Sequence, residues 1–392
     1  MFKKLFIALL VAICVFAFTG CSHLKNESIS QDVTQTDSPA QEIDITEIDP
    51  NFRQATIGNR EVRFADVRKA PFVLTGFAFR KSEDEPFYRI PTEFTHEQVN
   101  GGVLSLAKHP SGGAVLFRTN SPFIALLSDP PTGAAMNHMP ATGVSGYDLY
   151  ERLPNHKERF ISIIRTTKDG SIVNVGGNAM RDYIIFLPLY SSVNKLEIGV
   201  APDAKFQHPT PQRLSKPIVF YGSSITQGGC CSRPGNNYTT MICRALDVPQ
   251  VNLGFSGSAR GETAMAEAIA QIDAAMFVYD YDHNAPSLEH LQKTHEPFFK
   301  IIRAAHPNMP ILMLSKPDTA DGGARRDCIK ATYDNAVQAG DKNVYFFNGD
   351  HLFDPIGLNY CTVDGCHPND LGFYRMFQNT LPIVKKALNI ED

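Results

Sequence analysis

Hydrophobic positions along this chain follow two different rhythms. Between about Asn51 and Phe206 the apolar runs are short and broken by Gly, Pro, Asn and Asp: Phe72 to Phe79, Val103 to Leu106, Ala114 to Arg118, Phe123 to Leu127, Arg159 to Ile164, Tyr183 to Leu187 and Lys195 to Val200. No long helical period interrupts them, so they predict an antiparallel sandwich. After the Pro-rich connector His208-Pro209-Thr210-Pro211 the rhythm changes. Buried-looking strands at Ile218 to Tyr221, Val251 to Phe255, Met276 to Tyr281, Ile311 to Leu314 and Val344 to Phe347 now alternate with helical stretches. Those stretches are Tyr238 to Leu246, Glu262 to Ala270, Leu288 to Ala305, Arg325 to Ala339 and Leu371 to Leu388. Five repeats of strand then helix need right-handed crossovers, which place helices on both faces of a parallel sheet. The reading is therefore a β-sandwich over residues 51–208 followed by an α/β domain over residues 209–392. In such an open sheet the ligand site lies beyond the carboxyl ends of the strands.

The N-terminus adds an address. Lys3 and Lys4 precede a continuous apolar run from Leu5 to Phe18, too short to span a bilayer comfortably and laid out as an export signal. It ends in Phe18-Thr19-Gly20-Cys21, which resembles the lipobox of bacterial lipoproteins, with Phe18 where Leu is usual. That resemblance implies cleavage before Cys21 and a lipid on its thiol, tethering the protein to the bacterial cell envelope; the alternative is an ordinary signal peptide with Cys21 incidental. Residues 22–50 are mostly Ser, Gln, Asp, Thr and Glu, too polar to repay ordering, and read as a flexible linker.

Composition narrows the function. Of 392 residues, 43% are hydrophobic and 20% charged, as in chains with real cores, and the net charge of −4 includes no basic block. Nucleic-acid binding is set aside on that ground. Six cysteines, Cys230, Cys231, Cys243, Cys328, Cys361 and Cys366, remain after the signal and Cys21. Export permits disulfides but the spacing does not choose among fifteen pairings. No pair has the two-residue gap of a zinc knuckle, so no metal is expected.

Two segments carry chemistry. The first strand of the α/β domain runs into Tyr221-Gly222-Ser223-Ser224-Ile225-Thr226-Gln227-Gly228, so the Ser224 hydroxyl can stand above the sheet where a helix begins. A serine is a weak nucleophile without a base. Near the C-terminus, Asp364-Gly365-Cys366-His367-Pro368-Asn369-Asp370 places an Asp three residues before a His on one tight loop. Asp364 can accept the Nδ1 proton of His367 and leave Nε2 for the serine.

Together these segments resemble the GDSL, or SGNH, hydrolase family. That resemblance covers roughly the last 180 residues. It implies a three-layer α/β/α, flavodoxin-like fold with a five-stranded parallel sheet, Ser224 as nucleophile, and His367 with Asp364 as base and orienter. Asn252-Leu253-Gly254-Phe255-Ser256-Gly257 resembles the second family block, which implies an oxyanion hole built from the Ser224 and Gly257 amides. The third block is looser: Asn284 in Tyr281-Asp282-His283-Asn284 is the implied side-chain donor, although Asp282 stands where the family has glycine. Asn252 is its rival. Ser223 replaces the Asp of the family name.

Gly143-Val144-Ser145-Gly146-Tyr147-Asp148-Leu149-Tyr150 resembles the GxDLY segment that precedes some SGNH hydrolases, which marks the sandwich, of jelly-roll type, as part of the same unit. Turn and interface packing is the expected role of Tyr147, Asp148 and Tyr150. Arg118, Asn120 and His138 are candidates for a cleft shared by the domains, with exposed loop positions the default, and His283 lacks the orienting carboxylate that His367 has. A disulfide between the Cys230-Cys231 loop and the Cys361 to Cys366 loop is one hypothesis, local pairing of Cys361 with Cys366 the other. The expected activity is a serine esterase acting on short acyl, by resemblance acetyl, esters of carbohydrates, with no cofactor. Alternatives are a lipase, phospholipase or thioesterase, and a glycan-binding lipoprotein without catalysis.

Overall fold

Eleven short strands come first among the residues that the computed structural model describes, 41–317 and 322–391. They are β1 (Arg53–Ile57), β2 (Arg60–Asp66), β3 (Val73–Thr75), β4 (Ala114–Thr119), β5 (Phe123–Asp129), β6 (Tyr147–Leu153), β7 (Lys157–Ile164), β8 (Ser171–Asn174), β9 (Arg181–Phe186), β10 (Lys195–Val200) and β11 (Phe206–Gln207). They pair antiparallel into two sheets, one ordered β1-β2-β10-β5-β8, the other β11-β4-β9-β6-β7 with β3 on β4. Phe64, Phe117, Ile124, Leu126, Tyr147, Leu149, Ile185 and Ile198 fill the space between them. The second sheet is covered on its other face too: Ala114, Leu116, Tyr150, Ile184 and Phe186 form a separate buried cluster there. Burial on both faces removes the alternation that a half-solvated sheet shows.

The parallel sheet comprises β12 (Ile218–Gly222), β13 (Gln250–Gly254), β14 (Met276–Asp280), β15 (Ile311–Leu314) and β16 (Val344–Phe347), in the order β13-β12-β14-β15-β16. This is the flavodoxin-like order, whose reversal lies between its first and third strands, here β12 and β14. Helices are α1 (Ile45–Ile48), α2 (Gly101–Leu106), α3 (Ala141–Val144), α4 (Ser224–Gln227), α5 (Tyr238–Leu246), α6 (Thr263–Ile269), α7 (Leu288–Ala305), α8 (Ala324–Gln338), α9 (Leu358–Cys361) and α10 (Asp370–Leu388). Strands β12 to β15 are buried at every position, which explains their continuous apolar runs.

Three expectations need correction. The predicted strand Val103 to Leu106 is helix α2, because Asn100 caps it by accepting hydrogen bonds from the Gly102 and Val103 amides. An apolar run this short does not distinguish strand from helix. The sandwich is also not a continuous block. Ile90, Val99, Val103 and Ala107, from the stretch between β3 and β4, pack into the α/β core with Val251, Leu253, Phe255 and Ala259. The linker, finally, ends earlier than residue 50. Asp44 and Glu47 form a capping box around α1, Ile45 is 1% exposed, and Ile43 pairs with Phe206. Residues 22–40 and the Cys21 segment lie outside the described residues.

Candidate active site

Strand β12 ends at Gly222, where a Cβ would lie 2.2 Å from the Asp280 carbonyl oxygen and 2.0 Å from Thr226 Oγ1. Only glycine lets the chain turn there. Ser223 then caps α4, its hydroxyl accepting from the Ile225 amide at 3.2 Å in a fully buried position. Asp and Ser are both good N-cap acceptors, so the serine at position 223 meets the local structural need without a carboxylate. Ser224 opens α4, and Gly228 closes it at φ +102°.

On the other side, Thr362 pairs with Pro368 and the Val363 amide donates to the His367 carbonyl at 2.9 Å, closing a tight hairpin. Asn369 then caps α10 through its Oδ1 and donates from Nδ2 to the Tyr360 carbonyl. The hairpin delivers His367 Nε2 to 2.9 Å from Ser224 Oγ. Its Nδ1 lies 2.7 Å from Asp364 Oδ2. Asp364 Oδ1 accepts from the His367 and Cys366 amides at 2.7 and 2.9 Å. Partial burial alone would raise the Asp364 pKa, but these amides and the His367 ring outweigh it and pull the carboxyl down to about 2. Asp364 is therefore an anion across ordinary pH. A hydroxyl, an imidazole and a carboxylate in this order can deprotonate the serine and stabilise the resulting imidazolium.

The donors differ in what is left to give. Among the described residues, the Ser224 and Gly257 amides meet no protein acceptor. Gly257 sits at φ +66°, which favours glycine, and faces open space. Asn284 donates one Nδ2 hydrogen to the Phe255 carbonyl at 2.8 Å, leaving a second available. Asn252 has none left: it is fully buried and donates to the Thr226 carbonyl and Thr239 Oγ1 while accepting from Gly254. Of the two asparagines, only Asn284 therefore keeps an amide hydrogen without an acceptor among the described residues.

Other candidates have structural places. Arg118 pairs with Asp182 at 2.6 Å and donates to Gln207, and Asn120 accepts from the Lys205 amide. His138 is exposed beside Asn137. His283 Nδ1 lies 3.8 Å from Cys366 Sγ. No disulfide joins the described cysteines, so neither proposed pairing is present. Cys361 is buried while Cys366 is at the surface against His283, so the two thiols face different surroundings.

The GxDLY segment lies on β6 and grips the loop that follows α4. Buried Asp148 accepts from Arg233 Nη1 and the Gly235 amide, both at 2.7 Å, and Tyr150 Oη bonds the same Arg233. Burial raises the Asp148 pKa, with Arg233 opposing it. Several supports have no sequence signal at all. Tyr190 Oη donates to the Ser224 carbonyl at 3.3 Å, Ser111 Oγ to the Gln227 carbonyl at 2.6 Å, and the Ser256 amide to Gln227 Oε1.

A buried acid lies beneath. Asp280, 3% exposed at the end of β14, accepts from Tyr238 Oη at 2.8 Å and Thr226 Oγ1 at 3.1 Å. Burial, then the charge of Asp282, pushes its pKa up to about 7 against the pull of the two hydroxyls. The folded protein therefore keeps a proton that the unfolded chain releases above about pH 4. Stability from this group is complete below that value and is lost as pH rises through about 7, by up to about 1.4 kcal/mol per unit. Asp280→Asn keeps an oxygen for both hydroxyls and removes the ionisation. Between about pH 5 and 7 the melting temperature of the wild type should fall relative to the variant; parallel curves would refute the assignment.

Comparisons with known proteins bear on both halves of the chain. Residues 215–385 match the model of the GDSL-like Lipase/Acylhydrolase family. The C-terminal domain resembles this family. Residues 62–206 match the model for the N-terminus of Esterase_SGNH_hydro-type proteins, the GxDLY family. Among solved structures, a Bacteroides ovatus protein assigned as a GDSL-like lipase is 28% identical, with 84% of this chain and 99% of that one covered and a TM-score of 0.74. The salicylyl-acyltransferase of a tetracycline biosynthetic pathway shares the fold at 17% identity, covering 84% of this chain and 99% of its own, with a TM-score of 0.68. So does an acetyl xylan esterase from the rumen bacterium Butyrivibrio proteoclasticus, at 14% identity, 84% and 100% coverage and a TM-score of 0.54. No curated protein matches the sequence. The protein is an ester hydrolase.

Proposed function

We propose that the protein removes short acyl groups, acetyl foremost, from esters of carbohydrates through an acyl-enzyme on Ser224. Ser224 Oγ attacks the ester carbonyl carbon as His367 Nε2 takes its proton, with Asp364 holding the imidazole and offsetting its positive charge. The oxyanion receives hydrogen bonds from the Ser224 and Gly257 amides and the Asn284 side chain. Collapse breaks the bond to the alcohol oxygen, which leaves with the His367 proton; water, deprotonated by His367, then attacks the acyl carbon, and collapse frees the acid as His367 returns that proton to Ser224 Oγ. The observation that carries this reading is the continuous contact from Ser224 Oγ through His367 to Asp364.

The carbohydrate and acetyl assignments draw on structural neighbours that are carbohydrate esterases, the acetyl xylan esterase among them. Their test is a series of p-nitrophenyl esters alongside acetylated sugars. The acetate should give the highest kcat/KM, falling by about tenfold or more by octanoate, consistent with roughly 1–3 kcal/mol of discrimination in a site that does not fit the longer chain. Equal turnover of acetate and long-chain esters would favour a lipase.

The same reading places the protein on the bacterial envelope through a lipid on Cys21, at the end of an apolar run shorter than a membrane span. Mass spectrometry of the mature N-terminus should find an acylated Cys21; a protein cleaved elsewhere and carrying no acyl adduct refutes the anchor.

A further inference from the structure

Among the described residues, Arg89 is one of the largest fully buried side chains and has no carboxylate partner. It instead spends its donors on carbonyls. Nε donates to His109 at 2.6 Å, Nη2 to Leu106 at 2.8 Å, and Nη1 to both Asn252 and Gly254 at 2.9 and 2.7 Å. Its Cζ lies 4.5 Å from the centre of the Phe255 ring. Burying a cation without a counter-ion is among the costliest choices a core can make, so the arrangement demands a return.

That return lies in what it touches. Leu106 is the last residue of α2, whose terminal carbonyls have no partner within the helix. Asn252, Gly254 and Phe255 form the end of β13 and the start of the loop to Gly257. Phe255 is the hub of that loop: its amide donates to the Gly222 carbonyl, and its carbonyl accepts from Asn284 Nδ2 and the Ser258 amide. Gly257 itself has no side chain and nothing near its Cβ direction, so neighbours must hold it. Arg89 packs on the Phe255 ring and grips the residue on either side of Leu253 through the backbone. Burial pushes the Arg89 pKa down to about 9, still above neutrality, so the cation persists. Beside it His109 is pushed down to about 4, by burial first and by Arg89 second, and stays neutral.

We propose that Arg89, supplied from outside the α/β half of the chain, is a positioning residue for ester hydrolysis: it fixes the Gly254 to Gly257 loop, and with it the Asn284 contact, in the geometry that presents the oxyanion donors. The inference rests on the esterase reading above. It explains why the stretch between β3 and β4 leaves the sandwich to pack into the α/β core.

A double-mutant cycle separates positioning from mere support of the fold. Arg89→Lys keeps the charge but loses the planar fork that reaches four carbonyls. Its kcat for p-nitrophenyl acetate should fall roughly tenfold to a hundredfold, with KM changed by less than about threefold. Asn284→Ala should cost clearly less in the Arg89→Lys background than in the wild type, because both changes act on the same donors. Folding is checked by circular dichroism and a single melting transition. If Arg89→Lys does not fold, Phe255→Leu, which removes the ring beneath the guanidinium and keeps the charge, must show the same kcat loss and the same non-additivity. A folded variant with kcat within twofold of wild type, or losses that multiply independently with Asn284→Ala, overturns the proposal. Wild-type activity that survives Ser224→Ala would instead bring down the esterase reading, and the inference with it.

Discussion

Ser224→Ala should lower kcat for p-nitrophenyl acetate by on the order of 10⁶-fold while leaving the fold intact. The size of the effect follows from what the hydroxyl touches. Its side-chain contact is His367 Nε2, so removing the oxygen leaves an intact helix α4, an intact cap at Ser223 and an imidazole with nothing to deprotonate. What remains is the oxyanion donors and substrate binding, which alone give only a modest rate over water. His367→Ala should cost about as much, because the two groups act as one unit and their losses do not add. Traces of wild-type enzyme limit the measurement, so the rate is referred to an active-site titration. Residual kcat within about tenfold of wild type would mean that another group performs the attack.

Asp364→Asn is the second large effect, on the order of 10⁴-fold in kcat. The substitution is nearly isosteric, and the asparagine oxygen can still accept from the Cys366 and His367 amides that Asp364 Oδ1 serves now. The damage is to the tautomer. An amide NH₂ opposite His367 Nδ1 favours the imidazole with its proton on Nε2, where Ser224 needs an acceptor. It also removes the negative charge that stabilises the imidazolium. Because the amides and the ring hold Asp364 down to about 2 against the effect of burial, the wild type should not lose activity through this carboxyl until the pH approaches that value. A variant within tenfold of wild type would make Asp364 a loop fastener only.

The parallel sheet and the Ser224, Asp364 and His367 set were legible because their signals are local. Strands β12, β15 and β16 are short apolar runs, and the Asp and His share one hairpin of known spacing. Strands β1 and β2 were both missed: β1 is an edge with only Ala55 and Ile57 partly packed on the core, and in β2 the inward Val62, Phe64 and Ala65 are interspersed with Arg60, Glu61 and Arg63. Strand β6 was missed for the opposite reason: Asp148 and Glu151 are buried in it, and carboxylates in the interior break any hydrophobic pattern. Asp148 is tolerated there because Arg233 arrives from 85 residues further on. Tyr190, Ser111 and Arg89 share that difficulty, since each supports a segment more than thirty residues away through a backbone carbonyl, which any side-chain sequence would offer equally. The sequence left Asn252 as a rival to Asn284; the occupancy of their amide hydrogens separates them.

Treatment of the folded protein with a fluorophosphonate, followed by peptide mapping, asks directly whether this hydroxyl is activated. A single adduct on Ser224, with labelling strongly slowed in His367→Ala, is the expected result. A folded protein that takes no label, or takes it at a different residue, would contradict the assignment of Ser224 as the nucleophile.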